Sequence, residues 1–241
     1  MVPNLDNSST SNETKPSIVI LGNSHVHMFR RSRDPNFSIN WINFGSGASA
    51  SHGNITLDEG LDLARDAELV AISLLGTFHN IFGLMKHDQP FDVMLPEDAD
   101  IPVDVTLIPY RSILETFLGL MHENEPVRKI IEASGCPIVH LSPPPPKEEI
   151  VWKNPLHVLS EDVLNPATRR LRLWKAEIEA MRLFCQELNI ELLPPPEGTQ
   201  TREGFLEPYY ANLDAVHANP KYGQLVLEQL SQVGLAKRAM S

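Results

Sequence analysis

A chain of 241 residues is long enough to bury a sizeable core within one domain. With 42% hydrophobic and 21% charged residues, its composition is that of an ordinary soluble globular protein. The formal net charge of −11, from 31 acidic against 20 basic residues, argues against nucleic acid as a partner, because phosphate contacts need clustered Lys and Arg.

Residues 1–16 are polar and rich in Ser, Asn and Thr, and are expected to form a disordered tail ahead of a single domain over 17–241. The tail carries neither a basic n-region nor an apolar h-region, and no apolar run in the chain reaches the ~20 residues that span a bilayer. A cytoplasmic protein without a membrane partner is therefore expected. Cys136 and Cys185 lie in apolar segments without metal-ligand spacing, which predicts free buried thiols. The short basic clusters, Arg30–Arg33 and Arg169–Arg172, read as solvated helix faces.

The first element is Ser17-Ile18-Val19-Ile20-Leu21, a continuous apolar run ending at Gly22. Continuous rather than alternating hydrophobicity predicts a strand covered on both faces, as in a parallel sheet. Similar runs follow at Ile39–Phe44, Leu69–Leu75, Pro137–Leu141 and Ile190–Leu193. Helical patterns separate most of them. Leu57–Asp66 is opened by Thr56 and Asp58 as capping residues, and Ile113–Met121 and Val127–Ser134 precede the fourth strand. A long helix over Pro166–Leu188 turns Leu171, Trp174, Ile178, Met181, Cys185 and Leu188 to one face. The last helix begins at Asn219-Pro220, an N-cap with proline at the first helical position, and is expected to run to about Val233, before Gly234. The segment 86–109, punctuated by prolines, reads as an irregular insertion. This alternation predicts an α/β fold: a three-layer α/β/α sandwich with a five-stranded parallel sheet in the order 2-1-3-4-5.

In such a sheet, sites form beyond the carboxyl ends of the strands. The segments there are Gly22-Asn23-Ser24-His25, Gly45-Ser46-Gly47-Ala48 and Gly76-Thr77-Phe78-His79-Asn80, with Asp214-Ala215-Val216-His217 just ahead of the last helix. A serine hydroxyl needs a base within hydrogen-bonding reach, and that base needs orienting. Asp214 and His217, three residues apart, bring both from one short loop. Ser24 alone reads as a helix cap, and Asp214 and His217 alone as turn residues. Their joint placement on this topology favours nucleophile, orienter and general base.

These four segments, in this order, resemble the blocks of the SGNH (GDSL-like) hydrolase family. The first is similar to its Gly-Asp-Ser-Leu block, with Asn23 and His25 in place of Asp and Leu, and the fourth matches its Asp-x-x-His block. The resemblance covers nearly all of the chain from Ile18 onward. It implies a serine acyl-ester hydrolase acting through an acyl-enzyme on a small or carbohydrate-linked ester, removal of acetyl from a saccharide being one option, without a cofactor. It also implies an oxyanion hole made by the Ser24 backbone N–H, that of Gly47, and an Asn side chain after the third strand. Thr77 and Phe78 occupy the family's Asn position, so Asn80, His79 or Thr77 is left to supply that donor, and Asn80 is the one expected. A ligand-binding protein on the same fold and an acyltransferase using the same residues are the alternatives. His25, His27, His52 and His79 cluster near the expected pocket, but no acidic residue stands at a supporting spacing, so no metal is expected. A flavodoxin-like nucleotide site is not expected, because the turn after the first strand is too short to cradle phosphate.

Overall fold

The computed structural model describes residues 17–29, 31–42, 54–98, 105–150 and 161–238. The expected tail, Gly47 and His52 lie outside them. In chain order the first elements are β1 (Ile18–Gly22), β2 (Phe37–Ile42), β3 (Asn54–Ile55), α1 (Leu57–Asp66), β4 (Leu69–Ser73) and α2 (Phe78–Gly83). There follow β5 (Phe91–Met94), β6 (Thr106–Pro109), α3 (Tyr110–His122), α4 (Glu125–Ala133), β7 (Ile138–Leu141), α5 (Ala167–Glu187), β8 (Glu191–Leu193) and α6 (Pro220–Arg238).

The sheet is parallel throughout, in the order β3-β2-β1-β4-β7-β8. It has the predicted order with one strand more than expected. Two-residue β3 extends the β2 edge, pairing Trp41 with Asn54 and Ile42 with Ile55, and is too short to carry a periodic signal. Thr56 then caps α1 in a capping box with Glu59, rather than with Asp58. β1 and β4 are buried along their whole lengths, as expected of central strands covered on both faces. On one side Val19, Leu21, Val70 and Ile72 meet Ala64 of α1, Phe117 and Met121 of α3, Ile130 of α4 and Leu173, Ala180 and Phe184 of α5. On the other, Ile18, Ile20, Leu69 and Ala71 meet Tyr222, Val226, Leu227 and Leu230 of α6.

Several expectations need correction. The segment 86–109 is not wholly irregular: β5 and β6 pair in parallel as a separate two-stranded sheet, Phe91 opposite Thr106 and Met94 opposite Pro109. Pro109 is tolerated because it ends its strand. Nor does α6 stop at Gly234. A Cβ there would come within 3.3 Å of Ile18 Cδ1, so this glycine lets the helix pass close over β1 instead of ending it.

The cluster Arg169–Arg172 is not a solvated face. Arg169 and Arg170 are each only 6% exposed. Arg169 donates to Asn165 Oδ1 at 2.6 Å, Arg170 to the carbonyls of Lys147 and Glu148, and Arg172 to Asp92 and Asp98. α5 is buried on more than the predicted stripe, so charges read as facing water become internal struts. Leu188, placed on that stripe, is 40% exposed instead. Cys185 is a buried free thiol whose pKa burial pushes up to about 12, and Cys136 is free and half-buried. Among the described residues no helix is long and apolar enough to cross a membrane.

Candidate active site

β1 ends at Gly22, and Asn23 ties that end to its neighbour. The Asn23 N–H donates to Ser73 O at 3.2 Å and its carboxamide donates to Leu74 O at 3.3 Å. Its Oδ1 accepts from the His25 N–H at 3.2 Å, so the residue standing where the family has Asp still organises the turn. Ser24 opens the 3-10 turn Ser24–Phe29 that follows.

The turn is seated against the helix that follows His217. A Cβ at Gly223 would lie 2.3 Å from the Met28 carbonyl oxygen, so only glycine allows this approach of α6. Asn219 caps α6, its Oδ1 accepting from Lys221 and Tyr222, while its Nδ2 donates to the carbonyls of Tyr209 and Ala211. The loop before the helix is closed by Asn212 N–H to His217 O at 3.0 Å and Asn219 N–H to Tyr210 O at 2.7 Å.

This scaffold brings together three of the residues singled out by sequence. His217 Nε2 lies 3.0 Å from Ser24 Oγ, and His217 Nδ1 lies 3.1 Å from Asp214 Oδ2. Asp214 Oδ1 accepts from the backbone N–H groups of Val216 and His217, at 2.9 and 2.7 Å. Burial works against the charged form of Asp214. The His217 ring and these backbone donors outweigh it and hold the carboxyl well below the usual carboxylate range. A carboxylate at Oδ2 requires Nδ1 to be the protonated nitrogen, which leaves Nε2 to accept from the serine hydroxyl. Asp214 and His217 are both part-exposed, so the site is open to a ligand.

His25 stands beside this pair with its ring 5.4 Å from that of His217, edge to face. It is 4% exposed, and its pKa is lowered to about 3, first by burial and then by the fields of His217 and His79. It is therefore held neutral beside the pair and is a poor proton acceptor. The remaining described histidines of the expected cluster turn elsewhere: His27 packs on Trp41 at 4.2 Å, and His79 faces Glu177.

The third segment adds a feature that sequence reading missed. Buried Glu177 of α5 accepts from the backbone N–H groups of Phe78 and His79, at 3.0 and 2.9 Å, and lies 2.5 Å from His79 Nδ1. The signal was available: Glu177 lies three residues after Trp174 and four before Met181, on the apolar stripe. Asn80, in the first turn of α2, is half-buried, and its carboxamide has no hydrogen bond among the described residues. A second missed residue, Lys147, sits behind Asp214 with its ammonium 3.5 Å from Oδ1. Nothing in its local sequence marks it.

No family model matches this sequence, and no curated relative does. Among solved structures, a protein assigned as an acylhydrolase from Bacteroides fragilis NCTC 9343 superposes with a TM-score of 0.50 at 12% identity, over 93% of this chain and 89% of that one. The chain shares the fold of that protein, an α/β fold with a parallel central sheet flanked by helices. A GDSL-like lipase from Bacteroides thetaiotaomicron VPI-5482 aligns at a TM-score of 0.49 and 13% identity, over 92% and 89% of the two chains. Of the four segments singled out by sequence, the first lies at the end of β1, the third leads from β4 into α2 and the fourth lies ahead of α6, while the second lies outside the described residues.

Proposed function

We propose that this chain is a serine ester hydrolase of SGNH type, with Ser24 as nucleophile, His217 as general base and Asp214 as its orienter. The observation that carries this reading is the unbroken hydrogen-bonded line from Ser24 Oγ through the His217 ring to Asp214, at 3.0 and 3.1 Å. Ser24 Oγ attacks the ester carbonyl carbon as His217 Nε2 takes its proton. The tetrahedral oxyanion collapses, the C–O bond to the alcohol breaks, and His217 returns the proton to the departing alcohol oxygen. Water, deprotonated by His217, then releases the acid from Ser24. Asp214 stays ionised and stabilises the imidazolium formed in each half.

For the oxyanion we assign the backbone N–H groups of Ser24 and Gly47 and the carboxamide of Asn80. Asn80 is preferred over His79 because its side chain is uncommitted among the described residues, whereas His79 is bound to Glu177. The substrate we propose is a small or carbohydrate-linked ester.

Intact-mass labelling with a fluorophosphonate probe tests the assignment. A single adduct on the wild type that is absent from Ser24→Ala supports an activated serine. A folded wild type that takes no adduct overturns the reading in favour of a ligand-binding protein. Product analysis with added alcohols then separates hydrolysis from acyl transfer. Turnover should fall as the pH is lowered, since imidazolium cannot accept the serine proton.

A further inference from the structure

Lys147 follows the proline run Pro143–Pro146, and its side chain is only 4% exposed. An ammonium group rarely enters a protein interior unless its donors are satisfied there. This one donates to Asn212 O at 2.8 Å and to Asp214 O, and lies 3.5 Å from Asp214 Oδ1. Burial lowers the pKa of Lys147, and the Asp214 carboxylate works in the opposite direction.

The Lys147 backbone is itself fixed from two sides. Leu206 bridges it in parallel, with Leu206 N–H donating to Pro146 O at 2.9 Å. Arg170 of α5 donates to Lys147 O at 2.6 Å, to Glu148 O at 2.9 Å and to Asn165 O at 3.3 Å. A continuous path thus runs from α5 through Arg170 and Lys147 to the loop that holds Asp214.

We propose that Lys147, seated by Arg170, is a positioning residue of the Ser24 site that fixes the Asn212–Asp214 segment and shares the Asp214 carboxylate with His217. The inference rests on the triad reading above. Asp214 faces two titratable groups: His217 Nδ1 at Oδ2 and the Lys147 ammonium near Oδ1. Asn212 Nδ2 also donates to Oδ2 at 3.1 Å. A lysine cation there opposes a second positive charge on His217. Among the described residues, the other groups facing His217 are the Ser24 hydroxyl and the neutral ring of His25, which His79 in turn faces. Glu148 and Glu149 line a cavity of about 470 Å³ on the Lys147 side of the loop, together with Asn212 and Leu213.

Removing the lysine charge takes away the cation that opposes imidazolium, which becomes easier to form. Across a part-exposed carboxylate, a unit charge at this range is worth about one pH unit. The acid limb of the rate–pH profile should therefore move alkaline by about one unit in Lys147→Met and Lys147→Gln, and return in Lys147→Arg. Lys147→Gln keeps a hydrogen-bond donor, and so guards against a Met variant that fails to fold. Histidine-ring NMR titration of His217 in the wild type and in these variants reads the same displacement without needing turnover. It therefore stays informative if the fluorophosphonate test fails and Ser24 proves inert. In the wild type, the Lys147 Cε resonance should respond as His217 titrates. An unmoved His217 titration in folded Lys147→Gln, or a Lys147 Cε resonance blind to His217, would overturn the proposal.

Discussion

Replacing His25 by Leu, the residue that the resembling family block carries, probes the burden of burying an imidazole beside Ser24. In the folded chain His25 stays neutral down to about pH 3, because burial and its histidine neighbours oppose the charged form. In the unfolded chain it takes its proton near the ordinary value of about 6.5. Between those values the unfolded state binds more protons, so stability falls as pH drops below about 6.5 and this group has no effect above it. At about pH 5 the difference amounts to roughly 1.5 logarithmic units, or about 2 kcal/mol. His25→Leu should therefore gain about 2 kcal/mol on the wild type between about pH 8 and about pH 5, or roughly 4–8 °C in Tm. Any constant packing difference from the new side chain cancels between the two pH values. His140, buried in β7 and lowered to about 4 chiefly by burial, sensitises both proteins alike and cancels too. Urea unfolding of both proteins at the two pH values measures the effect. A stability difference that is the same at both would refute the claim that His25 is held neutral in the fold.

Further expectations concern the site and its supports. Asn80→Ala should lower kcat by about 10²–10³ with KM little changed, as steady-state kinetics on an ester would show; an unaltered kcat would exclude Asn80 as an oxyanion donor. Gly223→Ala drives a methyl into the Met28 carbonyl and should cost about 1–3 kcal/mol while displacing Ser24 from His217, read as loss of both thermal stability and fluorophosphonate labelling rate. Asp92→Ala strips Arg172 of a 3.0 Å partner and Arg169 of its carboxylate at 3.7 Å; a loss of about 3–5 kcal/mol in chemical denaturation is expected.

Much of the fold is written in local pattern. The apolar run at Ile18–Leu21 becomes a wholly buried strand, Leu57–Asp66 forms a helix with those bounds, and Asn219-Pro220 opens α6 as a cap. Hydrophobic period, capping side chains and proline position act over a few residues, so a linear reading captures them. Ser24, Asp214 and His217 could also be nominated because each stands at a strand end or helix start. Their meeting could not be derived that way. Ser24 and His217 lie 193 residues apart and are joined by the order of the strands and the close seat of α6 on the 3-10 turn. Buried charge was the other thing hidden from the sequence. Arg170 and Lys147 look like surface residues in isolation, and Glu177 is marked only by its place on the apolar stripe of α5, since a charged side chain enters the interior only where distant backbone and side chains satisfy it. Glu177 finds its donors 98 and 99 residues away, and Lys147 finds its acceptors 65 and 67 residues away, so tertiary structure alone decided that these charges hold up the site.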